Sequence, residues 1–372
     1  MTQNNVLISG AGIAGATAAY WLARSGRQVT VVEKAAGTRS SGNPIDVRGD
    51  AAVVAQQMQL WPRLQEAATG VTRLVILDAA GKRRAVVRTQ QDADPTAEVE
   101  VARAHLAATL LSAARDEAEI VVGDSIAHLT QDAHGVDVTF DQGPPRRFDL
   151  VLGADGLHST VRRLAFGPEE RFAQPFGMFV GTMPTAISAG EPHELLLFNR
   201  PGLSLSIHPA GGKPLAAFIF RSQERYDHRH PGTSRQLVAD AYAGQGWVTD
   251  QAVAEWLTAD DVYFDAVTRI DLPSWTRGRI SLLGDAANCI SLLGEGSSNA
   301  IVGAKTLADA LAAHPGDHRT AFTAYEATHR RRLRTFQRRA GLNSHVLVPT
   351  SALGIRLRDT GLHLTSLLTG VR

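Results

Sequence analysis

Residues 6–33 read VLISGAGIAGATAAYWLARSGRQVTVVE, and this stretch decides the fold. Val6–Ile8 predicts a short buried strand, Ala14 to Arg24 a helix closed by Gly26, and Val29 to Val32 a second strand ending in Glu33. Between the first strand and the helix, Gly10, Gly12 and Gly15 keep the spacing G-x-G-x-x-G. Each part has a task in holding a dinucleotide. Gly10 permits the sharp turn, Gly12 leaves the backbone bare for a pyrophosphate, and Gly15 lets the helix lie close on the strand. The helix N-terminus turns unpaired N–H groups and partial positive charge toward the phosphates. Glu33 is placed to accept hydrogen bonds from ribose hydroxyls, and its charge disfavours a 2′-phosphate there. The motif by itself leaves FAD and NAD both open.

The remaining bounds are permissive. At 372 residues the chain has room for two domains or one large elaborated one. A hydrophobic share of 44% with 20% charged residues fits a globular protein rather than a disordered one. The formal net charge of +1 gives no electrostatic reason to expect a nucleic-acid partner. One cysteine, Cys289, excludes a disulfide framework and a thiolate metal cluster. Val6 to Trp21 resembles a signal-peptide core, but no basic residue precedes it and its glycines suit the nucleotide turn. No run reaches the roughly 18 apolar residues of a membrane span. These features predict a cytoplasmic protein, monomeric or weakly dimeric, without membrane insertion.

Two further stretches resemble the first. Residues 149–165, DLVLGADGLHSTVRRLA, carry a strand (Leu150–Leu152) into the turn Gly153-Ala154-Asp155-Gly156, a second site built like the first or, with no ligand, a plain βα turn with Asp155 as helix cap. Residues 279–287 repeat the scheme: RISLLG, then Asp285-Ala286-Ala287, with Gly294-Glu295-Gly296 opening an apolar helix from Ser298 to Ala313. Between them, 173–270 holds short strand-like runs at Phe176–Met183, Glu194–Phe198, Leu203–His208 and Leu215–Phe220. Helices are expected at 233–243 and 250–258, and a strand at Val262–Ile270. This predicts an antiparallel sheet walling a substrate pocket.

Residues 49–69 read as two short helices broken at Pro62, and 71–88 as a hairpin around Gly81. Arg48 ends the extended run IDVR beside a polar loop that starts at Lys34; it reads as a cation facing a flavin or substrate. Arg103 opens a helix, where the dipole disfavours a cation, so an anionic partner is expected. His228 and His230 have no acid or cysteine cluster beside them in sequence, so no metal site is expected. The arginines of the long helical tail from His318 read as a solvated face.

Together the three turns make the chain resemble the FAD-dependent aromatic hydroxylases, the single-component flavoprotein monooxygenases typified by para-hydroxybenzoate hydroxylase. Tetracycline-inactivating and aromatic-polyketide hydroxylases are the members nearest in length. The resemblance implies an α/β fold: a Rossmann-type FAD-binding domain with an inserted antiparallel-sheet substrate domain and a C-terminal helical tail. The FAD-binding parts would be 1–172 and 271–317, the substrate domain 173–270 (with 71–101 near its side) and the tail 318–372. It places FAD on Gly10, Gly12, Ala14, Gly15, Glu33, Lys34, Arg48, Arg103, Asp155, Gly284, Asp285 and Gly296, with Arg48 near the flavin ring. It implies NAD(P)H as a transient reductant and hydroxylation of an aromatic or polyketide-like molecule by O₂ through a flavin C4a-hydroperoxide. One motif departs from the family pattern: Asn288 stands where histidine is common, and Ile290, Ser291 and Leu292 where proline is expected. The departure leaves open an oxidase or dehydrogenase on the same fold, or a non-redox cyclase or binding scaffold.

Overall fold

The computed structural model describes residues 4–37, 44–88, 98–188, 190–209, 213–228, 230, 232–290, 292 and 295–368. Gly294 and Ser291 lie outside the described residues. In chain order the elements begin with β1 (Asn5–Ser9), α1 (Ile13–Arg24), β2 (Gln28–Glu33), β3 (Ile45–Arg48), α2 (Asp50–Gln57) and α3 (Trp61–Glu66). Next come β4 (Arg73–Leu77), β5 (Arg83–Arg88), β6 (Glu98–Val101), α4 (Arg103–Arg115), β7 (Glu119–Val122), β8 (Ile126–Gln131), β9 (Val136–Phe140) and β10 (Arg146–Phe148). β11 (Leu150–Gly153) and α5 (Thr160–Ala165) precede β12 (Ala173–Pro184), β13 (Glu194–Arg200), β14 (Leu203–His208) and β15 (Leu215–Arg221). α6 (Thr233–Tyr242), α7 (Thr249–Thr258), β16 (Tyr263–Ile270), β17 (Thr276–Arg277) and β18 (Ile280–Leu282) lead to α8 (Asp285–Asn288), α9 (Gly296–Ala313), α10 (His318–Leu347) and α11 (Ala352–Leu368).

The first sheet runs β17-β18-β11-β1-β2-β7, parallel except for the edge strand β17. Val6, Leu7 and Ile8 are all fully buried, so β1 is covered on both faces, as the uninterrupted apolar run requires. α1 packs against α4 and α9, and β8–β10 add Ile126, Val136, Val138 and Phe148 to the same core. The strands that precede the three glycine turns, β1, β11 and β18, are therefore neighbours and end on one edge.

The second sheet runs β16-β12-β15-β14-β13-β4-β5. Alternation sorts its two faces. Phe179, Leu205, Phe218, Phe220 and Phe264 face α6 and α7, where Trp256 and Tyr242 fill the space between them. The Tyr242 hydroxyl donates to Ser204 O at 2.6 Å. On the opposite face the register lines up Tyr263, Thr182, Ala217 and Ser206. That face meets Ile290 and Val348. One pairing departs from the antiparallel expectation: β13 runs parallel to β4, which reaches the sheet from a distant part of the chain.

Three local expectations need correction. The break between α2 and α3 falls at Met58–Leu60, where Gln59 takes φ 59°, and not at Pro62. Pro62 sits in the first turn of α3, where its missing N–H has no helical acceptor to lose. Ser159, not Asp155, caps α5, accepting from Arg162 N at 2.9 Å. The tail arginines are partly engaged. Arg330 binds Glu326 and Leu272 O at 2.8 Å each, and Arg332 pairs with Asp50. Among the described residues no helix is long and apolar enough to cross a membrane.

Candidate active site

The three turns touch one another. A Cβ on Gly10, whose φ is +100°, would lie 2.5 Å from Ala154 O, so the first turn packs directly on the second. Leu283 N donates to Gly153 O at 2.8 Å, joining the second turn to the third. A Cβ on Gly284 would lie 2.7 Å from Ala14 Cβ, joining the third turn to the first. A Cβ on Gly15 would meet Gly10 O at 1.9 Å, so the start of α1 is pressed onto its own turn. Gly12 is different. A Cβ there would meet nothing within 4 Å, and as N-cap of α1 it supplies no side-chain acceptor. The protein thus leaves bare backbone and an uncapped helix N-terminus where its own packing requires neither. That is the form of an anion cradle.

Glu33 closes this turn: Ala11 N and Ala35 N donate to its two carboxylate oxygens at 2.8 Å each. Lys34 is exposed beside it. Asp155 points into its own turn, accepting from Ser159 Oγ, from Val161 N at 3.0 Å and from Ser9 Oγ at 3.3 Å; burial pushes its carboxyl up. Asp285 opens α8 with a carboxylate oxygen 3.6 Å from where a Gly296 Cβ would sit, so the third turn abuts the start of α9.

The two predicted cations differ. Arg48 is ion-paired with Glu295, in left-handed backbone (φ 53°) at the start of α9, and lies 3.6 Å from Glu98. Burial opposes its charge, but the Glu295, Glu98 and Asp46 carboxylates together outweigh that and raise its pKa. Arg103 is exposed at the N-terminus of α4, and the expected anionic partner is missing: among the described residues it has no ion pair. Its charge is felt by the Tyr263 phenol, as is that of Asp285, so α4, β16 and the third turn look toward one another. Tyr263 is itself pushed up, first by burial and then by Asp265.

Two of the buried polar atoms without partners, on Thr182 and His208, lie on the sheet face opposite α6 and α7, and a third, on Asn288, lies on α8. Thr182 Oγ1, His208 Nδ1 and Asn288 Nδ2 are buried with no hydrogen bond. His208 Nε2 meets Ser206 Oγ at 3.3 Å, and burial holds its pKa down to about 4, so the ring is neutral. Buried polar groups rarely stay unpaired without a function. Asn288, the residue that departs from the family pattern, belongs to this set.

Sequence reading missed a second cluster. His158, two residues beyond the second turn, lies 2.9 Å from Glu169 Oε1 through Nδ1 and 2.9 Å from Asp265 Oδ2 through Nε2. His228 stacks on it, with centroids 3.5 Å apart and planes at 15°. The acid that the sequence does not place beside His228 is Glu169, brought from 59 positions away by the fold. His230 is not part of it, contacting Asp227 at 3.2 Å instead.

Comparison with known proteins agrees with this geometry. A family model described as an FAD binding domain matches residues 3–339. An uncharacterised protein of Mycobacterium tuberculosis is 36% identical over 335 residues, covering 87% of this chain and 89% of its own. A flavin-dependent monooxygenase of Legionella longbeachae is 34% identical over 336 residues, covering 88% and 85%. The crystal structure of tetracycline destructase Tet(51) superposes with a TM-score of 0.85 at 28% identity, covering 98% and 97%.

Proposed function

The chain belongs to the FAD-binding family of flavin-dependent monooxygenases, and from that premise we propose that it hydroxylates a polycyclic or aromatic small molecule with O₂ and NAD(P)H. The observation that carries the reading is the placement of the unpaired Thr182 Oγ1 and His208 Nδ1 on the face that meets Ile290, with the unpaired Asn288 Nδ2 on α8 two residues before Ile290. A planar substrate bearing hydroxyl or keto groups along one edge supplies the partners these atoms lack. The structural similarity to a tetracycline destructase points to the same substrate class, fused rings with oxygens along an edge.

In this reading the N–H groups around Gly10, Gly12, Ala14 and Gly15 hold the pyrophosphate, and Glu33 the adenosine ribose, with Lys34 at its rim. Arg103 pairs with a phosphate or the ribitol, Asp285 with the ribitol, and the turns at Asp155, Gly284 and Gly296 shape the floor. Arg48 sets the rim through Glu295. The bound flavin supplies O₂ activation, and the chain supplies orientation and water exclusion. NAD(P)H gives two electrons, one oxygen atom enters the substrate, and the other leaves as water. His208, neutral at pH 7, accepts or donates at Nδ1 to fix the substrate edge.

The test is NAD(P)H consumption by the flavin-loaded protein with a panel of polycyclic phenols, under ¹⁸O₂. The expected result is substrate-stimulated oxidation with one ¹⁸O atom per product. A product that has lost hydrogen and gained no oxygen indicates the oxidase reading and overturns this one.

A further inference from the structure

We propose that His158 is a positioning residue: through Glu169 and Arg162 on one side and Asp265 on the other, it ties α8, which carries Asn288, to β16 of the second sheet. The inference rests on the reading that this sheet face takes the substrate. The path is continuous. His158 Nε2 donates to Asp265 Oδ2 and His158 Nδ1 to Glu169 Oε1, at 2.9 Å each. The other oxygen of Glu169 accepts from the fully buried Arg162 at 2.6 Å. Arg162 Nη1 donates to Ala286 O at 3.1 Å, inside α8.

α8 needs such a hold. It has four residues, and its internal bonding is one turn: Ala287 N and Asn288 N both donate to Gly284 O at 3.0 Å. A single turn does not keep its own shape in water, so its neighbours set its position. Cys289 O, just past α8, accepts from Ile270 N at 2.9 Å, and Ala286 O takes the Arg162 bond. Both attachments lead to β16, the first directly at its last residue and the second through Asp265. A body held at one point can pivot; held at two it cannot. Asp265 pairs with Val180 and stands two residues from Tyr263, which pairs with Thr182. The far end of the path is therefore fixed in the sheet face that carries the unpaired Thr182 Oγ1. Asn288 Nδ2 is thereby held at a set distance from it.

The charges along the path alternate in sign: Arg162, Glu169, His158, Asp265. Burial works against the His158 charge, yet the Asp265 and Glu169 carboxylates raise its pKa to about 9, so both ring nitrogens carry protons at pH 7. His228 lies flat on that ring, with centroids 3.5 Å apart. Burial and the His158 charge push the His228 pKa down, so it shields the imidazolium without adding a second charge. A buried ion chain contributes little net stability over apolar packing of the same volume. What this one supplies is a fixed path between two elements.

The experiment is hydrogen–deuterium exchange on the full-length protein with FAD, read by mass spectrometry. Asp265→Ala removes the sheet end of the path and leaves Glu169, Arg162 and Ala286 paired. It should quicken exchange over residues 283–290 about tenfold or more, the effect of a lost charge-assisted hydrogen bond, and so should His158→Ala. Asp265→Asn, whose amide can donate to a neutral His158 ring, should stay near the parent. With a phenol that stimulates the parent, KM should rise in the two alanine variants by more than kcat falls. The proposal fails if exchange over 283–290 in Asp265→Ala stays at the parent's rate, if it rises equally across the whole chain, or if KM is unmoved where exchange has quickened. Should no phenol stimulate the parent, the function proposed above falls, and the exchange result alone decides this inference.

Discussion

Gly284 and Ala14, 270 positions apart, meet so closely that a Cβ on the glycine would lie 2.7 Å from that of the alanine. Gly284 also holds φ 59° and ψ −141°, backbone open essentially only to glycine. Gly284→Ala therefore pushes the third turn off the start of α1. Overpacking costs about 1–3 kcal/mol, and the strained backbone about as much again. The expected outcome is a lower urea midpoint together with FAD release. A variant with unchanged midpoint and unchanged FAD affinity would show that the two turns need not touch.

The three turns were legible because each is local: strand, glycines and helix start follow within a dozen residues, and the backbone itself is the functional part. That they converge was an inference, and Gly10, Ala154 and Gly284 now carry it as contacts. What escaped were side-chain partnerships between distant segments. The sequence around Arg48 shows only a cation at the end of a strand, and Glu295 reaches it from 247 positions away. Asp155 has the spacing of a helix cap, yet Ser159 is one turn nearer to α5 and takes that role. His158, Glu169 and His228 are spread over 71 positions, so no spacing rule joins them. The unpartnered Thr182 and His208 are invisible for the same reason: alternation on a strand gives a face, but not what covers it.

Glu194 anchors the one parallel pairing of the second sheet. Its side chain is fully buried, and Arg83 grips both oxygens, at 3.0 and 2.6 Å, with Arg73 at 3.5 Å. The two arginines are 51% and 41% exposed, so water takes over their charge when the carboxylate is removed. Glu194→Gln is expected to cost about 1.5–3 kcal/mol, the range for a lost charge-assisted hydrogen bond and not the larger toll of a stranded buried ion. Chemical denaturation should show a lower midpoint with an unchanged slope. No shift would mean that the pair contributes only register.

His329 sets an acid limit on stability. Only 2% exposed, it has no partner at Nδ1 and stacks on Tyr325. Burial, helped by the Arg332 charge, holds its pKa at about 4, against 6.5 when unfolded. Between those values the unfolded chain binds the proton and the folded one does not. Stability is therefore fully present above pH 6.5 and declines as pH falls toward 4, by about 1.4 kcal/mol per unit at most. Carboxylates titrate there too, so the comparison with His329→Gln isolates the effect. The variant's stability deficit measured at pH 7 should shrink steadily toward pH 4. A constant deficit would place the proton elsewhere.

Arg103 separates binding from folding, because the two make opposite demands on it. It stands at the N-terminus of α4, where the helix dipole repels a cation by about 0.3–1 kcal/mol. Among the described residues nothing anionic offsets that, and its side chain is exposed. A charge kept at a cost to its own helix, near the third turn and Tyr263, has its use in a ligand. Arg103→Ala should leave the ligand-free protein as stable as before or slightly more so. It should also weaken FAD binding about tenfold or more, since a charge-assisted hydrogen bond contributes about 1.5–3 kcal/mol. Flavin fluorescence titration measures the affinity, and thermal unfolding of the flavin-free protein measures the stability. A loss of both together would make Arg103 a structural residue; a loss of neither would take the phosphate and ribitol out of its reach.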